Sequence, residues 1–177
     1  MDLIAQIQAV HSAKDSLLRY GTDSPLPAAQ RADFAGLDYF PVDLRFRLAG
    51  ELHIYGRRQQ IQVSATDGTS IAMERFGRFV AQLEGKPFWL EVHRSLENNE
   101  LFIMFKDATN GQSTYSGGRY AALSRLDNLT YILDFNTAYN PYCAYDSAYV
   151  CPLPPAQNYL TFEILAGEQT YGANLAH

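Results

Sequence analysis

The chain is short of several residue types at once, and each shortage removes a class of protein. Two cysteines in 177 residues cannot build a disulfide framework. Cys143 and Cys151 also lie outside the two-to-four-residue spacing of a zinc knuckle, so they are expected to be thiols. Basic charge is scarce: 14 Lys and Arg face 19 Asp and Glu, a net charge of −5, and Arg57-Arg58 is the sole basic doublet. That balance opposes attraction to nucleic acid or to an anionic membrane surface. No apolar run approaches the roughly 20 residues of a membrane-spanning helix, and Met1-Asp2-Leu3-Ile4 carries no basic n-region. A soluble, cytoplasmic location is expected, with no nucleic-acid or membrane partner. Histidines occur at positions 11, 53, 93 and 177 without clustering, and no metal site or cofactor is expected.

What is abundant is aromatic and apolar material. The chain has 12 tyrosines and 10 phenylalanines, and 47% of its residues are hydrophobic, enough for one domain over 1–177 with its own core. Residues 1–20 read as an amphipathic helix, with Leu3, Ile7, Val10 and Leu17 at helical spacing and Ile4 and Leu18 widening the stripe. Lys14 falls on that stripe. Either its stem packs while the ammonium reaches water, or it points inward and meets a carboxylate.

From Val42 the period changes to two, and antiparallel strands are expected over 42–135. Leu44, Phe46 and Leu48 alternate with Arg45 and Arg47, and Ile61, Val63 and Ala65 run up to Thr66-Asp67-Gly68-Thr69. Ile71 and Met73 resume beyond it, and an Asp-Gly pair between alternating segments signals a two-residue hairpin. Phe79–Leu83, Phe88–Val92, Leu101–Phe105, Thr114–Ala122, Leu129–Asp134 and Tyr159–Ala166 complete the series, the last within a final strand over 159–168. Leu101–Phe105 is apolar on both faces, which suits a central strand. About nine short strands after one helix, without a strand–helix alternation, predict a mainly β fold. An antiparallel barrel or sandwich is expected.

Residues 136–158 interrupt the pattern. The stretch from Asp134 to Pro155 holds both cysteines, four of the 8 prolines and four of the 12 tyrosines, a mixture no regular element sustains. Asp134, Asn136 and Asn140 either knit the loop's backbone or line a pocket walled by Tyr139, Tyr142 and Tyr145. Arg119, beside Gly117-Gly118 in an apolar region, needs a carboxylate or an anionic ligand, with Asp134 and Glu168 as candidate partners. Asp107-Ala-Thr-Asn-Gly111 reads as a capped tight turn.

Several of these strings occur together in order: Lys14-Asp15, Phe34-Ala-Gly-Leu37, Tyr39-Phe-Pro41, Phe105-Lys-Asp-Ala-Thr109, Gly118-Arg-Tyr120, Leu133-Asp-Phe-Asn136, Ala138-Tyr-Asn-Pro141, Cys143-Ala-Tyr145, Cys151-Pro-Leu-Pro-Pro155 and Ala166-Gly-Glu168. Together they resemble the prokaryotic domain-of-unknown-function family numbered 1684. The resemblance implies a single domain with the 136–158 stretch as its signature, and no established activity. It includes Arg119, Asp134, Asn136, Asn140 and Cys143 but neither His53 nor His93, so shared chemistry would run without those histidines. The segment after Glu168, ending at His177, is short for another element.

Three functions follow from these residues. The first is a β-barrel binding a small polar or anionic molecule in a pocket under 135–158. Arg119 would anchor it, with Asp134, Asn136, Tyr139, Asn140, Tyr145 and Lys14 around it. The second is a hydrolase or transferase using Cys143 as nucleophile, with Asp134 or Asp107 as acid–base partner. The third is an interaction module presenting an aromatic patch.

Overall fold

The computed structural model describes residues 2–172. Helix α1 (Leu3–Tyr20) and one short turn of helix, α2 (Ala28–Arg31), precede six strands: β1 (Arg47–Ser64), β2 (Ser70–Leu83), β3 (Lys86–Arg94), β4 (Leu101–Phe105), β5 (Arg119–Arg125) and β6 (Thr130–Asp134). Sequential strands pair antiparallel, and β6 returns to β1 with Leu133 opposite Leu48, so the sheet closes into a barrel. The expected nine strands become six for two reasons. Bulges between Ile54 and Gln59 in β1, and between Arg75 and Gly77 in β2, break the alternation without ending the strand. Each therefore joins two segments that read as separate.

The third reduction is at 159–168, where no strand forms. That segment makes two isolated bridges, Tyr159 to Lys106 and Glu168 to Tyr39, and its inner carbonyls are met by a side chain described below. The Asp-Gly hairpin exists but is wider than two residues. Only Gly68 has positive φ, at 83°, and the Asp67 carboxylate accepts from the Thr69 N–H at 2.9 Å.

A six-stranded barrel is narrower than the eight-stranded size at which side chains just fill the interior. Phe79, Leu90, Val92, Ile103, Phe105 and Leu133 are fully buried within one apolar cluster and occupy it. Gly50 is required there, because a Cβ would come within 2.5 Å of the Phe79 ring. The barrel interior is thus a core, with no room for a ligand.

A second apolar layer lies outside the barrel. Val63, Met73 and Met104 are buried, with Phe102 and Tyr120 packed against them. Phe102 and Met104 alternate with Ile103 and Phe105 of the interior, so β4 is covered on both faces.

Helix α1 departs from its expected stripe. Ile7 and Leu18 are buried, whereas Val10 and Leu17 are each 52% exposed. The inward face instead carries His11, whose ring stacks on Tyr39 at 3.8 Å, and Lys14. Polar contacts to the loops set the rotation of the helix, at the expense of two apolar side chains. Among the described residues no helix is long and apolar enough to cross a membrane.

Candidate functional site

The 136–158 stretch is pinned at both ends and lies over the outer face of the barrel. Tyr139 bridges Tyr120 through paired backbone hydrogen bonds of 2.8 and 2.9 Å. Further on, Pro152 bridges Ala65, the Leu153 N–H donates to the Ser64 carbonyl at 2.8 Å, and the Tyr120 hydroxyl donates to the Pro152 carbonyl at 2.5 Å. Asn158 closes the far end, its amide nitrogen donating to the Glu91 and Met104 carbonyls at 3.0 and 2.8 Å. Prolines at 152, 154 and 155 suit a segment that touches the sheet only at isolated bridges, since proline brings no N–H needing a ladder partner.

Beneath this roof is an open groove of about 750 Å³, within the usual range of roughly 300–1,000 Å³ for small-molecule sites. Met73, Phe102 and Tyr120 supply its barrel side, and Tyr139, Tyr142 and Pro152 its loop side. The rings of Phe102 and Tyr120 lie 6.0 Å apart, and those of Tyr120 and Tyr139 meet edge to face at 5.8 Å. The turn between β3 and β4 adds Glu97 and Glu100 at one side. Burial, together with the negative charges of Glu100 and Glu168, pushes the Tyr139 phenol up to about 12, so it stays neutral in ordinary buffers.

The residues singled out in the sequence fall into three places, and of them Tyr139, Tyr142 and Cys151 line the groove. Arg119 is 0% exposed. It donates to Asp107 at 2.7 Å and to the carbonyls of Ile164, Ala166 and Glu168 at 2.9, 2.5 and 3.2 Å. Its carboxylate partner is therefore Asp107, in place of Asp134 or Glu168, and it fastens the 159–168 segment to the barrel end. With no exposed surface, it does not anchor a ligand in the groove. Asp134 instead holds Arg47 at 2.8 Å and caps the turn at Asn136, whose amide brackets the Asp43 backbone.

The remaining expected residues assemble between α1 and the loop. Lys14 pairs with Glu168, and its ammonium sits 4.8 Å from the Tyr139 ring centroid and 5.6 Å from that of Tyr145. Glu168 also accepts from the Tyr145 hydroxyl at 2.5 Å and the Asn140 N–H at 2.8 Å. Burial, and then the charge of Glu168, drive the Tyr145 phenol well above its ordinary range. This is an internal polar knot that locks the helix onto the loop. Of the other histidines, His53 is paired with Glu51 at the surface while His93 is fully buried beside Phe102.

The thiols form a pair without a base. The Cys143 N–H donates to the Cys151 sulfur at 3.3 Å, and the Cys143 sulfur lies 3.7 Å from the Tyr115 hydroxyl. Neither Asp107 nor Asp134 serves Cys143, each being engaged by an arginine elsewhere. Among the described residues, no group of three or more His, Cys, Asp or Glu could hold a metal ion. Burial pushes the Cys151 thiol up to about 12. At pH 8, iodoacetamide should therefore label Cys143 first and reach Cys151 at the unfolded-chain rate only in denaturant. Mass-spectrometric mapping that found Cys151 labelled as fast in the native protein as in urea would contradict this burial.

The family model described as Protein of unknown function (DUF1684) matches residues 32–169. The chain belongs to this family. Its fold is similar to the solution NMR structure of an uncharacterized protein from Haloarcula marismortui, at 34% identity and a TM-score of 0.73, over 98% of this chain and 95% of that one. No curated protein matches the chain. The matched residues contain the barrel, the 136–158 roof and the Arg119–Asp107 pair, so the groove lies within the family's own domain.

Sequence reasoning missed most groove residues because they belong to strands. Met73, Phe102 and Tyr120 read as sheet residues, yet the signal was present in Leu101–Phe105, apolar on both faces. A second apolar face on one strand of a small barrel demands a cover, and the loop is that cover. Glu97 and Glu100 carried no signal as ordinary turn residues.

Proposed function

We propose that this protein binds a small, largely apolar molecule in the groove beneath 139–152. The observation that carries the reading is the groove's position. It lies outside a filled barrel and is walled on the loop side by the stretch that most distinguishes the sequence. Apolar and aromatic walls with few polar groups favour a flat hydrophobic body over a polar anion. An anionic ligand would need a cation, and Arg119 and Lys14 are committed to Asp107 and Glu168. A nucleophilic role for Cys143 finds no support in its contacts, which are a phenol and a second thiol.

Ala122 tests the reading. It lines the groove from the outer face of β5, is exposed, and stands opposite Phe102, so a larger side chain there fills the groove without entering the core. Ala122→Trp should leave the melting temperature unchanged and weaken binding of the neutral dye Nile red by about tenfold or more, equivalent to at least about 1.4 kcal/mol. Equal Nile red affinity in both proteins would show that the groove is not the binding site.

A further inference from the structure

Every described ionisable side chain that lines the groove with a full charge is a carboxylate. Glu97 and Glu100 stand in the β3–β4 turn, and neither lysine nor arginine lines the cavity. The turn is braced. The Ser95 N–H donates to the Glu100 carbonyl at 3.0 Å, and the Asn99 N–H donates to the Ser95 carbonyl at 3.1 Å. The Asn98 amide donates to the Glu100 carboxylate at 2.9 Å, and Asn99 takes the left-handed φ of 61° that such a turn needs. Glu100 is thus held at a defined place on the groove's edge.

The walls are suited to positive charge as well as to apolar surface. Phe102, Tyr120 and Tyr139 form a continuous run of rings, whose faces are electron-rich and attract cations. The Tyr120 hydroxyl is spent on the Pro152 carbonyl, which leaves the ring as its offering to a ligand. Tyr139 already has one ammonium at its ring, that of Lys14, whose charge is balanced by Glu168. Thioether sulfur at Met73 adds a soft, adaptable surface.

From this combination we infer that the groove selects an organic cation: a flat aromatic or aliphatic body carrying a quaternary or protonated nitrogen. The body lies against Phe102, Tyr120 and Tyr139, and the nitrogen is directed to Glu97 and Glu100. The inference rests on the groove reading above and adds to it the sign of the ligand's charge.

Three fluorescent probes of different charge separate the two claims: rhodamine 6G as the cation, Nile red as the neutral probe and 8-anilinonaphthalene-1-sulfonate as the anion. Titrated at moderate ionic strength, the wild-type protein should bind rhodamine 6G at least about tenfold tighter than the anion, a gap of about 1.4 kcal/mol. The double variant Glu97→Gln/Glu100→Gln should lose that preference, by about fivefold per carboxylate, while its affinity for Nile red is unchanged. Ala122→Trp, which alters no charge, should weaken binding of both rhodamine 6G and Nile red by about tenfold or more, distinguishing the groove from general attraction to an acidic surface.

If the anion binds as tightly as the cation, or the double variant keeps the wild-type preference, the charge inference is overturned and the groove reading stands. If Nile red and rhodamine 6G bind Ala122→Trp as they bind wild type, the groove reading falls and takes this inference with it. Failure of all three probes to bind the wild-type protein overturns both.

Discussion

Replacing Arg119 with methionine should lower the unfolding free energy by about 3–5 kcal/mol, the cost of stranding one member of a buried ion pair. The Asp107 carboxylate would lose its partner in a site where both side chains are 0% exposed. The carbonyls of Ile164, Ala166 and Glu168 would lose their donor as well. No backbone N–H among the described residues donates to those carbonyls, because the segment carrying them pairs only through isolated bridges, Tyr159 to Lys106 and Glu168 to Tyr39. Each buried unsatisfied group adds about 1–3 kcal/mol, so the methionine variant stands at the edge of not folding. Arg119→Lys should recover little. It restores the charge, but a single ammonium cannot reach a carboxylate and three carbonyls as the planar fork does. Urea unfolding of the three proteins measures this, and a loss below about 1 kcal/mol in Arg119→Met would show that the arginine is not what holds 159–168.

His93 should make the protein acid-labile in a defined window. Its ring is 0% exposed, neither nitrogen has a hydrogen-bond partner among the described residues, and burial, against the pull of Glu91, lowers its pKa to about 4. An unfolded chain titrates this group near 6.5. Between the two values the unfolded state takes a proton that the native state refuses, so stability is fully present above pH 6.5 and falls as the pH drops toward 4. The loss by pH 4.5 should be about 2–3 kcal/mol. His93→Leu removes the titrating group along with two unsatisfied nitrogens, so it should be neutral or stabilising at pH 7 and lose that part of the acid slope. Carboxylates remote from His93 contribute equally to both proteins and cancel in the comparison; Glu91, which His93 helps to lower, titrates together with it. Identical stability-versus-pH curves for wild type and His93→Leu, from urea melts between pH 7 and 4.5, would exclude the mechanism.

The two predictions concern residues that the sequence presented very differently. Arg119 stood out beside a double glycine, and the need for a carboxylate was legible there. Which carboxylate was not, because Asp107 precedes it by 12 positions across a tight turn and reads locally as a cap for Thr109. Asp107 does both, one oxygen accepting from Thr109 and the other from Arg119. His93 gave no signal, since alternation places it on a face that a polar side chain would normally turn to water. The second apolar layer removes that water, and it is built from Val63, Met73 and Met104 together with a loop that begins more than 40 residues beyond His93.

Lys14 shows the same division. Its place on the apolar stripe was evident from spacing, and the choice between water and a carboxylate was settled by Glu168 at the other end of the chain. The helix then turned to satisfy that pair, and Val10 and Leu17 were left outside.

By itself the sequence determined the class of fold, one helix followed by antiparallel strands, and it located the 136–158 stretch as the unusual part. Those are local properties: side-chain period, turn residues and proline content act over a few positions and need no knowledge of distant chain. The tertiary structure alone decided how many strands there are, because bulges break the alternation while long-range pairing carries the strand through. It also decided that the polar residues of the stretch build the fold while Tyr139 and Tyr142 face a groove. A buried charge is tolerable only beside its partner, and Lys14 and Glu168 come to theirs from opposite ends of the chain. Once Arg119, Asp134, Asn136, Asn140 and Lys14 are claimed by such partners, the surface left to meet a ligand is the ring-lined groove with two carboxylates at its edge.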